Sequence, residues 1–329
     1  MPSSLTQKIL DQARVLGFDA VGIAAAEFLE QDDHALSRWL AEGRHAGMAY
    51  MAREPHRRSR PQAVLPGVRS VVVLAMNYAQ DMPSDPGRGT ARRAPPSKKT
   101  GRVSRYAWGQ DYHDIIEDRL SQFEAFIRES AGPACPPDRR GTDCRSYVDH
   151  GPVLEKAFAR LAGIGFIGKN TLLITEEFGS WVFLSVILTT LELEPGSART
   201  SECGSCRACL DACPTGALFA PYHLDANRCI SYLTIENKDE IPDALIPKLN
   251  GWVFGCDICQ EVCPYNAHPK STAVKEFRTD EGVGPWLDLE KVAALVTDEE
   301  FRAAFKDTPL LRPKRAGLQR NAEALLGRG

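Results

Sequence analysis

Cys203, Cys206, Cys209 and Cys213 stand at the spacing C-x2-C-x2-C-x3-C, with Pro214 directly after the last of them. That is the run that wraps a cubane iron-sulfur cluster. A second run, Cys256, Cys259 and Cys263 followed by Pro264, repeats its last three positions, and Val253 stands where the repeat needs its first cysteine. Each cubane takes four thiolates, so a pair of clusters requires one more, and Cys229 is the only cysteine between the runs. Zinc sites also use four thiolates but usually arrange them as separated C-x2-C pairs, which fits three close cysteines and a fourth before proline poorly. Disulfides are disfavoured by chain length and by an N-terminus without a secretory pattern.

In two-cluster ferredoxins the fourth cysteine of each run crosses to the other cluster. Cys203, Cys206, Cys209 and Cys263 would then hold one 4Fe-4S cluster, and Cys213, Cys229, Cys256 and Cys259 the other. Such clusters pass one electron at a time. The remainder of the chain must therefore hold something that uses electrons.

The elements that must carry that chemistry are those of an ordinary globular chain. Its 329 residues are 43% hydrophobic and 25% charged, enough for about two domains. A net charge of -3 and a pI near 6.2 give no global attraction to nucleic acid, so any such contact needs a local patch. The N-terminus reads as an amphipathic helix with Leu5, Ile9, Ala13 and Leu16 on one face, stopped by Gly17 and followed by a strand from Val21 to Ala24. A helix carrying Leu36, Trp39 and Leu40 comes next, then the nearly continuous apolar run VRSVVVLAMNY, a strand buried on both faces. The segment DYHDIIEDRLSQFEAFIRESA predicts a helix presenting Ile115, Leu120, Phe123 and Ile127. CRSYVD reads as a strand, PVLEKAFARLAG as a helix starting at Pro152, and TLLIT and SWVFLSVILTTL as strands too short to span a bilayer. Cys135 and Cys144 read as loop thiols. Helices from DLEKVAALV, EEFRAAF and the stretch after the basic turn RPKRAG close the chain.

Mixed strands and helices before residue 195 imply an α+β class, an α/β sandwich. The division expected is residues 1–195 as that sandwich, 196–270 as a ferredoxin-like cluster domain and 271–329 as a helical segment packing on the core. Gly163, Gly165 and Gly168 spell G-x-G-x-x-G, and Gly163 to Lys169 spells G-x4-G-K. A phosphate site would need a strand before and a helix after, whereas the order here is reversed and Asn170 replaces the required Ser or Thr. Between Pro86 and Arg105 there are seven Lys or Arg and no acid, either a solvated loop or a phosphate-binding arm. The metal-ligating pattern D-x-H-x-x-G is only half met at Asp111 and His113, because Ile116 stands where Gly should be.

The segments VSRYAWGQDYHD, YVDHGPVLEKAFARLAGIGFIGKNT, FGSWVFL, both cysteine runs and the ending TPLLRPKRAGLQRNAEALLG, in this order, resemble the epoxyqueuosine reductase family, cobalamin and iron-sulfur enzymes of tRNA queuosine synthesis. The resemblance runs from about Leu5 to Leu326. Gln110 departs from the family's usual Arg, and longer members continue past the position of Gly329 into helical repeats.

The resemblance implies a nitroreductase-like cobalamin domain related to that of reductive dehalogenases, with cobalamin (vitamin B12) and two 4Fe-4S clusters as cofactors. It implies Asp149 as proton donor to an epoxide oxygen, its pKa raised by burial; the competing reading is a helix-start carboxylate. It places Arg58, Ser104, Asp149, Leu154, Leu173, Leu184, Ser231 and Gly255 around the corrin, the leucines having core packing as their alternative. The basic residues Arg92, Arg93, Lys98 and Lys99, with Lys238, are the expected tRNA contacts. A ferredoxin- or flavodoxin-type electron donor, a monomer, a cytoplasmic location and no membrane contact complete the expectation. The alternatives are a dehalogenase-like cobalamin enzyme, a cobalamin carrier, and an electron-transfer module without chemistry of its own.

Overall fold

The strand Ser70–Asn77 is buried at all eight positions, the outcome its unbroken apolar run demands, and it lies inside a four-stranded sheet. The order is Ala20–Ala25, Ser70–Asn77, Val182–Thr189, Cys144–Tyr147, every pair antiparallel, with Val73 opposite both Gly22 and Val186. The computed structural model describes residues 4–82, 99–130, 142–199 and 201–327. These form two compact units: 1–43, 50–77 and 113–205 make the first, and 44–49, 78–112 and 206–329 the second. Among the described residues no helix is long and apolar enough to cross a membrane.

In the first unit Val71, Val73 and Ala75 point into one core with Phe158 and Ala159 of the helix Glu155–Leu161. The alternate residues Val72, Leu74 and Met76 are buried as completely. Each such side chain contributes about 1.5–3 kcal/mol over leaving it in water. Gly22 permits the close approach: a Cβ there would stand 2.3 Å from the Ala162 carbonyl oxygen. The N-terminal helix Ser4–Val15 ends before Gly17, whose φ of +82° suits a glycine stop.

Three local expectations are corrected. In the helix Tyr112–Ser130 the buried stripe is Ile116, Leu120, Phe123 and Ile127, spaced four, three and four residues apart, and Ile115 is only half-buried. The helix expected from Pro152 begins at Glu155, after a bent Gly151–Val153 segment. Cys144 is no loop thiol but the first residue of a strand, 4% exposed, its thiol facing the Thr189 hydroxyl at 3.5 Å. Cys135 lies outside the described residues.

The second unit is built on a three-stranded sheet in which Thr100–Val103 runs between Trp252–Phe254 and Trp286–Asp288. That pairing brings residues 78–112 into the same unit as 206–329, although sequence order groups them with the first 195. Its core joins Val103, Trp108 and Phe254 to Leu289, Phe301, Leu310 and Leu318 of the C-terminal helices. The helix Asp298–Ala304 opens with a reciprocal capping box between Thr297 and Glu300. The last helix, Lys314–Leu326, starts inside the basic stretch expected as a turn. Asn321 fastens it by donating to the carbonyls of Thr234 at 2.7 Å and Val253 at 3.0 Å.

Candidate functional site

In the first unit, three of the expected site residues, Arg58, Asp149 and Leu154, lie on connected backbone. Arg58 donates to the Gly151 carbonyl at 3.3 Å and the Tyr50 carbonyl at 2.9 Å, and its own carbonyl accepts the Leu154 N–H at 3.0 Å. The Arg58 Nε is buried and has no hydrogen-bond partner among the described residues, so one donor remains to be satisfied by another group. Asp149, in the turn held this way, is exposed and adopts φ +59°, a left-handed conformation that Asp tolerates better than most residues. It does not start the helix. Leu154 occupies the N-cap position and makes no side-chain cap. Leu173 is 3% exposed, while Leu154 and Leu184 are partly buried against the same core.

The carboxyl that burial raises in this loop belongs to Glu155. Its Oε1 accepts the Asp149 N–H at 2.8 Å. Desolvation, then the neighbouring Asp149 charge, push its pKa up to about 8 against the weaker pull of Lys156 and Arg58. Between its ordinary 4.5 and about 8 the unfolded chain gives up this proton while the native one keeps it. Glu155 therefore subtracts stability as pH rises through that window. Glu155→Gln retains an acceptor for the Asp149 N–H and removes the titration. Its melting temperature is expected to fall less than the parent's between about pH 5 and about pH 8. Equal slopes would show that Glu155 ionises normally.

In the second unit Ser104 and Gly255 are in contact. Gly255 has φ +67°, and a Cβ there would lie 2.5 Å from the Ser104 Cβ, so the turn requires glycine. Ser104 is 3% exposed, and its hydroxyl donates to Asp257, which is itself 2% exposed and also accepts the Arg105 N–H at 2.7 Å. Burial holds the Asp257 carboxyl above its ordinary pKa, against these donors. The phenol of Tyr78 is pushed up by burial and then by the Asp257 charge. Sequence reasoning missed Glu155, Asp257 and Tyr78. The only available signal was Asp257 lying between two cysteines of the second run.

The cysteines sit at element ends. Cys209 lies in the helix Ala208–Ala212, Cys213 caps it, Cys229 precedes Ile230–Ile235, and Cys259 lies in Ile258–Glu261. The first and last of these helices lie against each other. Burial first, then Cys229, Asp257, Cys213 and Cys209, raise the Cys259 pKa. Burial and then Cys259, with Cys229 further down the order, raise Cys256. Burial also raises Cys229, whose sulfur accepts backbone N–H groups of Tyr232 and Ser231. Cys256 and Cys259 thus lie near each other and near Cys229, and Cys259 also near Cys213 and Cys209, so neighbouring charge opposes ionisation of these two thiols. Iron would relieve that opposition, since a metal-bound thiol is deprotonated outright. Among the described residues no three His, Cys, Asp or Glu side chains converge as a site for a single metal ion.

Of the expected tRNA contacts, Arg92, Arg93 and Lys98 lie outside the described residues. Lys99 is paired with Glu290 at 2.8 Å, and Lys238 is exposed.

Two family models match the chain: a 4Fe-4S double cluster binding domain over residues 202–266, and "Epoxyqueuosine reductase QueG, DUF1730" over residues 58–150. An epoxyqueuosine reductase of Leadbetterella byssophila is 39% identical, with 96% of each chain covered. A crystal structure of epoxyqueuosine reductase with an epoxyqueuosine-modified tRNA stem loop is 31% identical, covers 98% of this chain and 81% of its own, and superposes with a TM-score of 0.86. The Bacillus subtilis enzyme, with its catalytic aspartate loop swung out of the active site, is 30% identical over 98% of this chain and 81% of that one, with a TM-score of 0.84. The match of fold and cysteine runs over nearly the whole chain makes it an iron-sulfur oxidoreductase, and it belongs to the epoxyqueuosine reductase family.

Proposed function

We propose that this chain reduces the epoxide of epoxyqueuosine at the tRNA wobble position to queuosine, using cobalamin and two 4Fe-4S clusters. The observation that carries the reading is the pairing of eight cluster-type cysteines with a first unit that holds Arg58 and the Asp149 turn together. When bound, cobalamin supplies a cobalt centre able to deliver electrons to a carbon–oxygen bond. The unpartnered Arg58 Nε suits a polar group of such a cofactor. Loss of the oxygen as water consumes two electrons and two protons. Asp149 is the proton donor in this reading; it is exposed and sits in a left-handed turn. That the Bacillus subtilis relative has a catalytic aspartate on a loop found swung out of its active site supports this choice.

The functional division we adopt is cobalamin binding by residues 1–195, clusters in 196–270 and helical support from 271–329. Cys203, Cys206, Cys209 and Cys263 take one cluster, and Cys213, Cys229, Cys256 and Cys259 the other, following the crossover of the fourth cysteine of each run. A ferredoxin- or flavodoxin-type donor feeds them, in the cytoplasm, with the chain acting as a monomer.

Corrin uptake separates this reading from a bare electron-transfer module. Purified protein mixed with cobalamin should retain it through gel filtration, and quantitative loss of the corrin would remove the cobalamin assignment. For tRNA, Arg92, Arg93, Lys98, Lys99 and Lys238 are the proposed phosphate contacts. Removing one cation that neutralises a phosphate of a single-stranded loop lowers the slope of log affinity against log salt by about 0.7. Neutralising the four arm residues should therefore flatten the slope by up to about 3, with Lys99 contributing least because Glu290 already holds it. An unchanged slope would make the arm a solvated loop.

A further inference from the structure

The stretch Gly163–Asn170 spells a phosphate loop but opens no helix. Instead Phe166–Ile167 pairs with Leu173–Ile174, and residues 168–172 form the tip of that hairpin, closed by the Gly168 N–H on the Leu172 carbonyl at 2.8 Å. At this tip the Lys169 backbone N–H donates to the Cys203 sulfur at 3.4 Å. The Lys169 ammonium donates to the carbonyl of the next residue, Gly204, at 2.5 Å. Asn170 is 4% exposed; its Oδ1 accepts the Leu172 N–H at 3.3 Å, while its Nδ2 is buried with no hydrogen-bond partner among the described residues. One backbone donor and one positive charge are thus held against the Cys203 sulfur and the Gly204 carbonyl, with the Asn170 amide next in the same hairpin tip. A buried donor left unsatisfied is costly, so the Asn170 amide calls for a further acceptor at this hairpin tip.

We propose that the hairpin tip Lys169–Asn170 tunes the cluster that Cys203 ligates, raising its reduction potential. The proposal rests on the reading of Cys203 as a cluster ligand. A cubane bound by four thiolates is an anion, and its inorganic sulfides accept hydrogen bonds. Adding one electron, taken from the external ferredoxin- or flavodoxin-type donor, makes it more negative by one charge and moves no proton. N–H donors to sulfur and a nearby ammonium stabilise that reduced form more than the oxidised one, and hydrogen bonding to sulfur together with net charge are what set such potentials. The phosphate-loop spelling thus has another use, in which its lysine meets the Cys203 loop.

The test is an EPR-monitored potentiometric titration of reconstituted parent protein and of Lys169→Gln, Lys169→Arg and Asn170→Leu. Lys169→Gln keeps a donor and removes the charge. It should retain full iron and leave one of two clusters about tenfold less reduced at a potential near its midpoint, which is about 59 mV for a one-electron couple. The other cluster should not move, Lys169→Arg should titrate like the parent, and Asn170→Leu should shift the same cluster in the same direction. Full iron with both potentials unchanged in Lys169→Gln and Asn170→Leu would overturn the proposal. Loss of half the iron in both Lys169→Gln and Lys169→Arg would overturn it as well, making Lys169 a strut for the Cys203 loop. A parent protein that takes up zinc and no iron would instead sink the cluster reading on which the proposal stands.

Discussion

Asp149→Asn is expected to lower turnover by about a hundredfold to ten-thousandfold, the range general acid catalysis typically contributes, while corrin and both clusters stay bound. The substitution is unusually clean at this position. Asp149 sits at φ +59°, where Asn is as well accommodated as Asp, so the turn keeps its backbone. Its N–H still meets Glu155, and Arg58 still holds Gly151, because neither hydrogen bond uses the Asp149 side chain. The acidic proton is removed, together with the charge that helps raise the Glu155 pKa. A variant that released cobalamin or failed to fold would make the carboxylate structural. Turnover within a few-fold of the parent would move the proton's source elsewhere. Glu155, which keeps its proton up to about pH 8, would be the next group to replace.

Cys229→Ala should remove one of two clusters, taking iron from about eight to about four per chain after anaerobic reconstitution. Cys229 is the ligand that the run spacing leaves unmarked, since Val253 occupies the place where the second run would start. In the structure it opens the helix Ile230–Ile235, takes N–H donors from Tyr232 and Ser231, and shares its surroundings with Cys213, Cys256 and Cys259. Cys144→Ala should spare all the iron, because that thiol is buried in the sheet of the first unit against Thr189. Cys135→Ala should spare it too. Equal iron loss from all three variants would mean that the ligand set is drawn wrongly.

The cluster ligands were legible because a cubane demands a fixed local spacing, and local spacing is what a linear sequence displays. The buried strand Ser70–Asn77 was legible for a similar reason, its eight residues having no polar face to offer water. The helix Tyr112–Ser130 was found but rotated, since Ile115 and Ile116 are equally apolar and only packing selects between them. What depends on distant partners was not visible. Thr100–Val103 joins strands that lie some 150 residues further along, so the grouping of 78–112 with the second unit leaves no local mark. Glu155 looked like one more acidic residue in a helix's first turn. Its raised pKa arises from burial and from Asp149 folding back over it, both consequences of the turn that Arg58 fastens. The phosphate-loop spelling shows the opposite hazard, a motif complete in letters whose hairpin setting gives it another use.

Epoxide reduction itself is tested most directly by nucleoside analysis of a single turnover. Reconstituted protein, loaded with cobalamin and reduced by a one-electron donor, is incubated with an epoxyqueuosine-bearing tRNA stem loop, and the RNA is then digested and its nucleosides separated. Queuosine should appear as epoxyqueuosine disappears, mole for mole, and neither should change when cobalamin or the clusters are omitted. Epoxyqueuosine left untouched by fully loaded, reduced protein that still binds the stem loop would contradict the proposed reaction.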